Sequence, residues 1–289
     1  MGSNRHGWHR RAPARQAPAK RCGRRTGGRM RGRARRARPV AAKATDIGTR
    51  VTWVEYWNQE TSPLYVNERH RRVHYDLVTR DVLKHVPAGN ARVVDYGCGD
   101  TPTAARLAAA CGQLFLCDAA PRVRERLRAR YAGAPNITVI TPQQFAELQA
   151  HSIGMIVVNS VVQYLSKPQL LSLLAQSQAK LMPGGLLLLA DIVPRHVGFL
   201  RDTLELIKFA AGNGFLLPVL VGLGRSYFSP YRRIRQSFGF LQFEEAEILH
   251  VLEAHGFKAR RQQRNIGHNT ARMTFLGIAE ADGGSRPPC

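Results

Sequence analysis

At 289 residues and 44% hydrophobic, the chain is long enough to bury one large α/β core with appendages, and a single catalytic domain is the simplest count. The formal charge of +23 is concentrated at one end, which excludes a uniformly basic protein. Residues 1–44 hold 15 Lys or Arg and no acid, so the remaining 28 cations face 20 acids, a net +8. The five cysteines (Cys22, Cys98, Cys111, Cys117 and Cys289) are odd in number and form no C-x-x-C. A disulfide framework and a structural zinc are therefore not expected, and a reducing, cytoplasmic setting is.

Residues 1–44 consist of Arg, Ala, Gly and Pro with few aliphatic side chains, which cannot bury enough apolar area to order themselves, so a disordered tail is predicted. Its clusters, Arg24-Arg25 and the run between Arg29 and Arg38, suit phosphates of nucleic acid or anionic lipid. An arginine-rich segment without acids also fits organelle targeting, though serine and an apolar helical face are scarce, and translation from an over-early start codon in GC-rich DNA would give the same residues. No apolar run follows the arginine pairs, so the tail has no secretory character.

Residues 45–88 read as a helical cap. Val51, Trp53, Tyr56, Trp57, Leu64 and Tyr65 are dense in aromatic and aliphatic side chains, and Val73, Leu77, Val78, Val82 and Val86 follow at helical spacing. Asn67, Arg69, His70, His74 and Tyr75 are the polar residues here that a pocket could use.

The stretch Val93-Val94-Asp95-Tyr96-Gly97-Cys98-Gly99-Asp100-Thr101-Pro102 organises the rest of the chain. It reads as a buried strand entering a glycine turn and then a helix, with Thr101 as N-cap and Pro102 at the first helical position. Glycine permits positive φ and close approach of a ligand, and such turns lie at the carboxyl edge of a parallel sheet, where ligands bind. A dinucleotide site would place a third glycine where Pro102 stands, which argues against NAD. Asp95, at the strand end, can hold an ammonium group directly or through water. A second apolar run ends at Asp118, 19 residues after Gly99, at the tip of the neighbouring strand, where a carboxylate can accept ribose hydroxyls. Cys98 is a nucleophile in principle, but a small side chain between two glycines is the simpler reading.

Helices are predicted over 101–112, 121–131, 141–150 and 166–180, and strands over 153–158 and 186–190. The second helix sets Val123, Leu127 and Tyr131 among five arginines, the pattern of a solvated helix back or of a polyanion site. After Asp191 roughly 65 residues pass before a sixth strand over 257–264, and 273–279 reads as the seventh. The excess is an insertion at about 195–250. Its apolar part, 209–223, is too short and too broken by Gly, Asn and Pro to span a bilayer, and reads as a greasy lid or as a segment that dips into a membrane surface. Residues 227–240 add Tyr and Phe among Arg232, Arg233 and Arg235, near Arg225, suited to a carboxylate or phosphate head group.

Asp95-x-Gly97-x-Gly99, Asp118, the run Ile156-Val157-Val158-Asn159-Ser160, and Leu181-Met182-Pro183-Gly184-Gly185 leading into four leucines together resemble the successive landmarks of the class I S-adenosylmethionine-dependent methyltransferases, over roughly residues 91–280. The resemblance implies a doubly wound, seven-stranded, mostly parallel α/β sheet over 89–289, with S-adenosylmethionine above the carboxyl ends of the first strands. By that likeness Asp95, Tyr96, Gly97, Cys98 and Gly99 surround the methionine part and Asp118 holds the ribose. Ala119, Gln143 or Gln144, and the segment Asn159-Ser160 then lie near the adenine and the donor. Two departures stand out: Thr101 replaces a frequent third glycine, and Thr141-Pro142-Gln143-Gln144 replaces a frequent acid.

Methyl transfer is an in-line displacement in which orientation and exclusion of water do most of the work, and a hydroxyl, phenol or acidic-carbon acceptor also needs a base. His70 and Tyr164 are the first candidates, with His74 and His196 behind them. The greasy insertion favours a small-molecule, apolar or lipid-like acceptor and peripheral membrane contact. A nucleic-acid methyltransferase using the tail, and a cofactor-binding protein without catalysis, are the alternatives. Against the former, Asn159-Ser160-Val161-Val162 lacks an N-P-P-Y-type sequence and no aromatic-rich RNA module is present.

Overall fold

The computed structural model describes residues 53–58, 65–226 and 241–281. The arginine tail and the stretch 227–240 lie outside these residues. Two helices, α1 (Trp53–Trp57) and α2 (Glu68–Leu83), precede a sheet that alternates with helices: β1 (Arg92–Tyr96), α3 (Ala104–Ala108), β2 (Gln113–Cys117), α4 (Pro121–Arg130), β3 (Ile137–Ile140), α5 (Pro142–Glu147), β4 (Ile153–Asn159), α6 (Lys167–Lys180) and β5 (Leu181–Ile192). The insertion follows as α7 (Phe199–Asn213) and α8 (Leu216–Ser226), and the chain closes with α9 (Glu245–Ala254), β6 (Phe257–Arg261) and β7 (Met273–Ala279).

The strand order is β3-β2-β1-β4-β5-β7-β6, parallel through β5, with β7 antiparallel to both β5 and β6. This is the doubly wound, seven-stranded, mostly parallel sheet expected from the sequence. The strands are apolar on both faces because helices cover both. Val94, Ile156, Val158, Leu187 and Leu189 pack with Phe145, Leu170, Leu173, Ile248 and Leu252 on one side. Val93, Leu114, Leu116, Val157 and Leu188 pack with Val82, Leu107, Val123 and Leu127 on the other.

Capping explains most helix boundaries. Asn67 accepts the His70 amide at 2.8 Å to start α2, and capping boxes open α5 (Thr141 with Gln144) and α6 (Ser166 with Gln169). The helix expected from Thr101-Pro102 is different. It is the five-residue α3, whose N-cap residue Thr103 makes no side-chain cap because its hydroxyl is engaged elsewhere. Thr103 Oγ1 lies 2.6 Å from Thr79 Oγ1, and the Tyr131 hydroxyl donates to the Thr101 carbonyl at 2.7 Å. The fifth strand is longer than expected, starting at Leu181 and running through a bulge, and the sixth ends three residues earlier, at Arg261.

The insertion is fastened to the sheet through the turn between β6 and β7. Arg272 donates to both oxygens of Asp202 at 3.1 and 2.6 Å, Asn269 donates to Asp202 at 3.0 Å, and the Thr270 hydroxyl donates to Glu205 at 2.8 Å. The Arg272 and Asp202 side chains are only 10% and 16% exposed. Removing one partner of such a pair leaves the other charge in low dielectric. Asp202→Ala should therefore destabilise the fold by about 3 kcal/mol, read as a lower midpoint in urea at unchanged slope.

Candidate active site

The carboxyl ends of β1 and β2 are tied by one side chain. Asp118 accepts the Gly99 amide at 3.0 Å through one oxygen and the Ala120 amide at 2.8 Å through the other. Gly97 and Gly99 take φ of +72° and +59°. A Cβ on Gly97 would stand 2.3 Å from Val161 Cγ2, so glycine is required there by backbone and neighbour alike. The arginines of α4 brace this turn: Arg124 donates to the Asp118 and Ala119 carbonyls at 2.9 and 2.8 Å, Arg126 pairs with Asp100 at 2.8 Å, and Arg130 bonds the Asp100 carbonyl. That stripe is thus in part structural rather than a plain solvated back.

Above the turn opens a cavity of about 1200 Å³, walled largely by aromatic and apolar side chains. It exceeds the roughly 300–1,000 Å³ typical of a single small-ligand site, which leaves room for two molecules side by side. Of the residues singled out in the sequence, Tyr96, Gly97, Cys98, Gly99, Asp118, Ala119, Asn159, Ser160, His70, His74 and Tyr164 line it. The other candidates stand outside the cavity wall. Gln143 is exposed outside the cavity, Gln144 is consumed by the α5 capping box, and it is Pro142 that reaches the wall. His196 is exposed and does not line the cavity. Asp95 is half-buried at the strand end and is not part of the wall.

At the ends of β4 and β5, Ser160 and Asp191 both take positive φ, +58° and +59°, uncommon for non-glycine residues and typical of strained functional positions. The Ser160 hydroxyl donates to Asp191 at 2.8 Å, and the Asp191 amide donates to Asn265 at 3.1 Å. Asn159 Oδ1 beside them is buried with no hydrogen-bond partner among the described residues.

Two groups of aromatic side chains line the cavity. In one, Tyr164 lies in a short 3₁₀ turn, Val162–Tyr164, with its ring 4.5 Å from Trp53 and 5.7 Å from Trp57. The other holds three histidines. His70 stacks on Phe215 at 4.9 Å, His268 stacks on Phe209 at 4.3 Å, and His74 sits 5.8 Å from His268. Burial pulls all three imidazoles down, His70 and His268 to about 4 and His74 to about 3, with mutual repulsion adding to the effect at His74 and His268, so they are neutral near pH 7. His268 Nδ1 is buried without a hydrogen-bond partner among the described residues. Its place in the site is not readable in the sequence, because a lone histidine in the β6–β7 turn carries no spacing signal. Tyr65, which neighbours His70, His74 and Tyr75, is likewise visible there only as a core aromatic. The Cys98 thiol is pushed well up by burial and by the nearby Asp118 and Asp95, which removes its nucleophilic character near pH 7.

The family described as "Methyltransferase domain" matches residues 93–185, a span that runs from β1 through the glycine turn, Asp118 and the Asn159-Ser160 strand end into β5. These residues form a class I S-adenosylmethionine-dependent methyltransferase domain. Among solved structures, the methyltransferase is similar to a chain of the Haloferax volcanii complex of the Trm112 methyltransferase activator with a methyltransferase (13% identity, 80% of this chain and 99% of that one, TM-score 0.54). It is similar as well to magnesium protoporphyrin IX methyltransferase from Synechocystis with bound S-adenosylhomocysteine (17% identity, 75% and 89% coverage, TM-score 0.50). A third likeness is to phosphoethanolamine N-methyltransferase 1 of Haemonchus contortus (14% identity, TM-score 0.54), where 82% of this chain spans 49% of that protein. These likenesses concern the fold. No curated protein matches the sequence.

The residues present fit S-adenosylmethionine: a glycine turn at a sheet edge, a strand-end carboxylate beside it and an orphaned buried amide oxygen on β4. When bound, the cofactor supplies an electrophilic methyl group on a sulfonium.

Asp95 gives the methyltransferase a measurable pH signature. Burial first, and Asp118 second, push its carboxyl up to about 7, far above the ordinary carboxylate value. The folded state therefore holds a proton at Asp95 that the unfolded chain releases near pH 4, and the contribution of this group to stability falls as pH rises from about 4 to 7. The three neutral histidines contribute the opposite slope over the same range, so the Asp95 part is read as a difference: the thermal stability of the cofactor-free wild type relative to Asp95→Asn should fall as pH rises from about 4 to 7.

Proposed function

We propose that the protein methylates a small, apolar or amphiphilic acceptor bearing a weakly acidic O–H, N–H or C–H group. The observation that carries this reading is the large cavity joining the glycine turn to a wall of aromatic rings and neutral histidines, with part of that wall contributed by the insertion through Leu206 and Leu223.

In this reading Asp118 accepts the ribose hydroxyls, since each of its oxygens spends one lone pair on a backbone amide and keeps another. The Gly97-Cys98-Gly99 turn borders the methionine part, with the Asp95 carboxyl behind it drawn toward ionisation by an ammonium group. Asn159 Oδ1 accepts a hydrogen bond that no described protein group supplies. Ala119 and Pro142, rather than Gln143, flank the adenine. The acceptor lies between the Trp53–Tyr164 wall and the histidines, where water is excluded. Of the basic groups, His268 takes the acceptor's proton. Its Nδ1 is uncommitted, whereas His70 Nδ1 already faces the Val66 amide at 3.4 Å and its ring is stacked on Phe215. Tyr164 orients the acceptor from the opposite side.

Two outcomes test the assignment. Asp118→Ala should weaken S-adenosylmethionine binding by about 2 kcal/mol, the scale of hydrogen bonds to a charged group, and unchanged affinity by calorimetry would contradict the ribose role. Transfer of radiolabelled methyl from S-adenosylmethionine into a cell extract should place label in the organic or small-molecule fraction, whereas label confined to nucleic acid would overturn the proposal. With the labelled acceptor in hand, His268→Ala should lower kcat roughly 10²-fold or more with little change in cofactor affinity, as expected for loss of a general base.

A further inference from the structure

The hairpin of α7 and α8 turns two different faces to its surroundings. Inward, Ala210, Phe215 and Val219 are fully buried, and Gly222 comes so close to Val66 that a Cβ would stand 2.7 Å from its Cγ1. Outward, α8 exposes Leu217, Leu220 and Val221, at 73%, 48% and 49%, spaced i, i+3, i+4 on one helical face. On α7, Leu204 is 55% exposed and stands between the exposed cations Arg201 and Lys208 on one stripe. Apolar side chains exposed together on one face mark an interaction site, not ordinary surface. The sequence decides the kind of partner. From residue 206 to 243 there is no acid, while Lys208, Arg225, Arg232, Arg233 and Arg235 supply five cations. No described helix is long and apolar enough to cross a membrane, so the fit is to a surface and not to a span.

We propose that the outer face of this hairpin docks on an anionic phospholipid bilayer, with Leu217, Leu220 and Val221 entering the headgroup–acyl boundary and the exposed Arg201 and Lys208 of α7 meeting lipid phosphates. The same hairpin lines the cavity from within through Leu206 and Leu223, so docking would set the cavity beside the membrane, from which an amphiphilic acceptor could enter. Docking of this face does not depend on the identity of the acceptor.

The test uses the full chain and vesicles of phosphatidylcholine with or without phosphatidylglycerol, scored by flotation. Wild type should float with the anionic vesicles, and the combined substitution Leu217→Gln, Leu220→Gln, Val221→Gln should weaken that binding roughly tenfold or more while leaving thermal stability and S-adenosylmethionine binding unchanged, because these side chains touch solvent. Binding of the triple variant equal to wild type would assign any vesicle affinity to the terminal arginines and overturn the proposal. A wild-type dimer that the triple variant converts to monomer, without vesicle binding by either, would identify a second copy as the occupant and overturn it equally. A further readout guards against a generic charge effect: Leu217→Trp should shift its emission to the blue on adding anionic vesicles, and no shift would refute insertion.

Discussion

The two hydrogen bonds that Asp118 accepts from Gly99 and Ala120 hold the site together. They connect the loop after β1 to the loop after β2, so the shape of the glycine turn and the position of the carboxylate are set by a single side chain. Everything nearby reinforces that link. The Gly97 and Cys98 amides both reach the Cys117 carbonyl at the end of β2, and Arg124, reaching back from α4, pins the Asp118 and Ala119 carbonyls. Positive φ at two glycines costs little there, and no other residue type would allow the turn to press against Val161. The result is a strand edge organised before any ligand arrives, which reduces the ordering cost of binding.

A second linkage joins the acceptor side to the sheet. Asp191, the last residue but one of β5, sits in strained backbone, bonds Ser160 just beyond β4 and reaches Asn265, which also bonds Thr274 on β7. From the same turn, Asn269, Thr270 and Arg272 grip Asp202 and Glu205 on α7. His268 lies inside this grip, stacked on Phe209 of α7. The insertion is therefore coupled to the strand ends through charged and hydrogen-bonded groups, and the placement of the imidazole depends on both.

The features legible in the sequence are those with local signals. Val93-Val94 before two glycines, the acid closing the next apolar run and the Pro-Gly-Gly entry to β5 each encode a strand end or a turn, and together they point to the sheet, the family and most of the wall near the glycine turn. The misreadings arise where a local rule meets a distant competitor. Thr101 and Thr103 are good capping residues, but Tyr131 and Thr79 claim the groups around them, so α3 starts late and is short. Gln144 has the chemistry of an adenine partner, yet its own helix start takes it, and Gln143 falls on the solvent side of the same turn. His268 enters the site only because β7 returns antiparallel beside β5, an event of long-range pairing that no window of sequence reports, and Tyr65 because the chain ahead of α2 turns its ring onto His70, His74 and Tyr75.

A chain of formal charge +23 keeps its cavity almost free of positive charge, and the means are visible residue by residue. Arg272, which borders the cavity, is held bidentate by Asp202. Three α4 arginines, Arg124, Arg126 and Arg130, spend their guanidinium groups on carbonyls and on Asp100. The three histidines are neutral because burial makes protonation costly, and each would have to charge beside the others. The nearby formal anions, Asp118 and Asp191, sit at strand ends. A cationic sulfonium would be repelled by an ordinary basic cleft, so the folding of this sequence separates two electrostatic tasks: its outer surface carries cations suited to polyanions, and its interior offers carboxylates, lone pairs and aromatic faces suited to a cation. The same neutrality leaves the His268 imidazole with a free lone pair on the cavity wall.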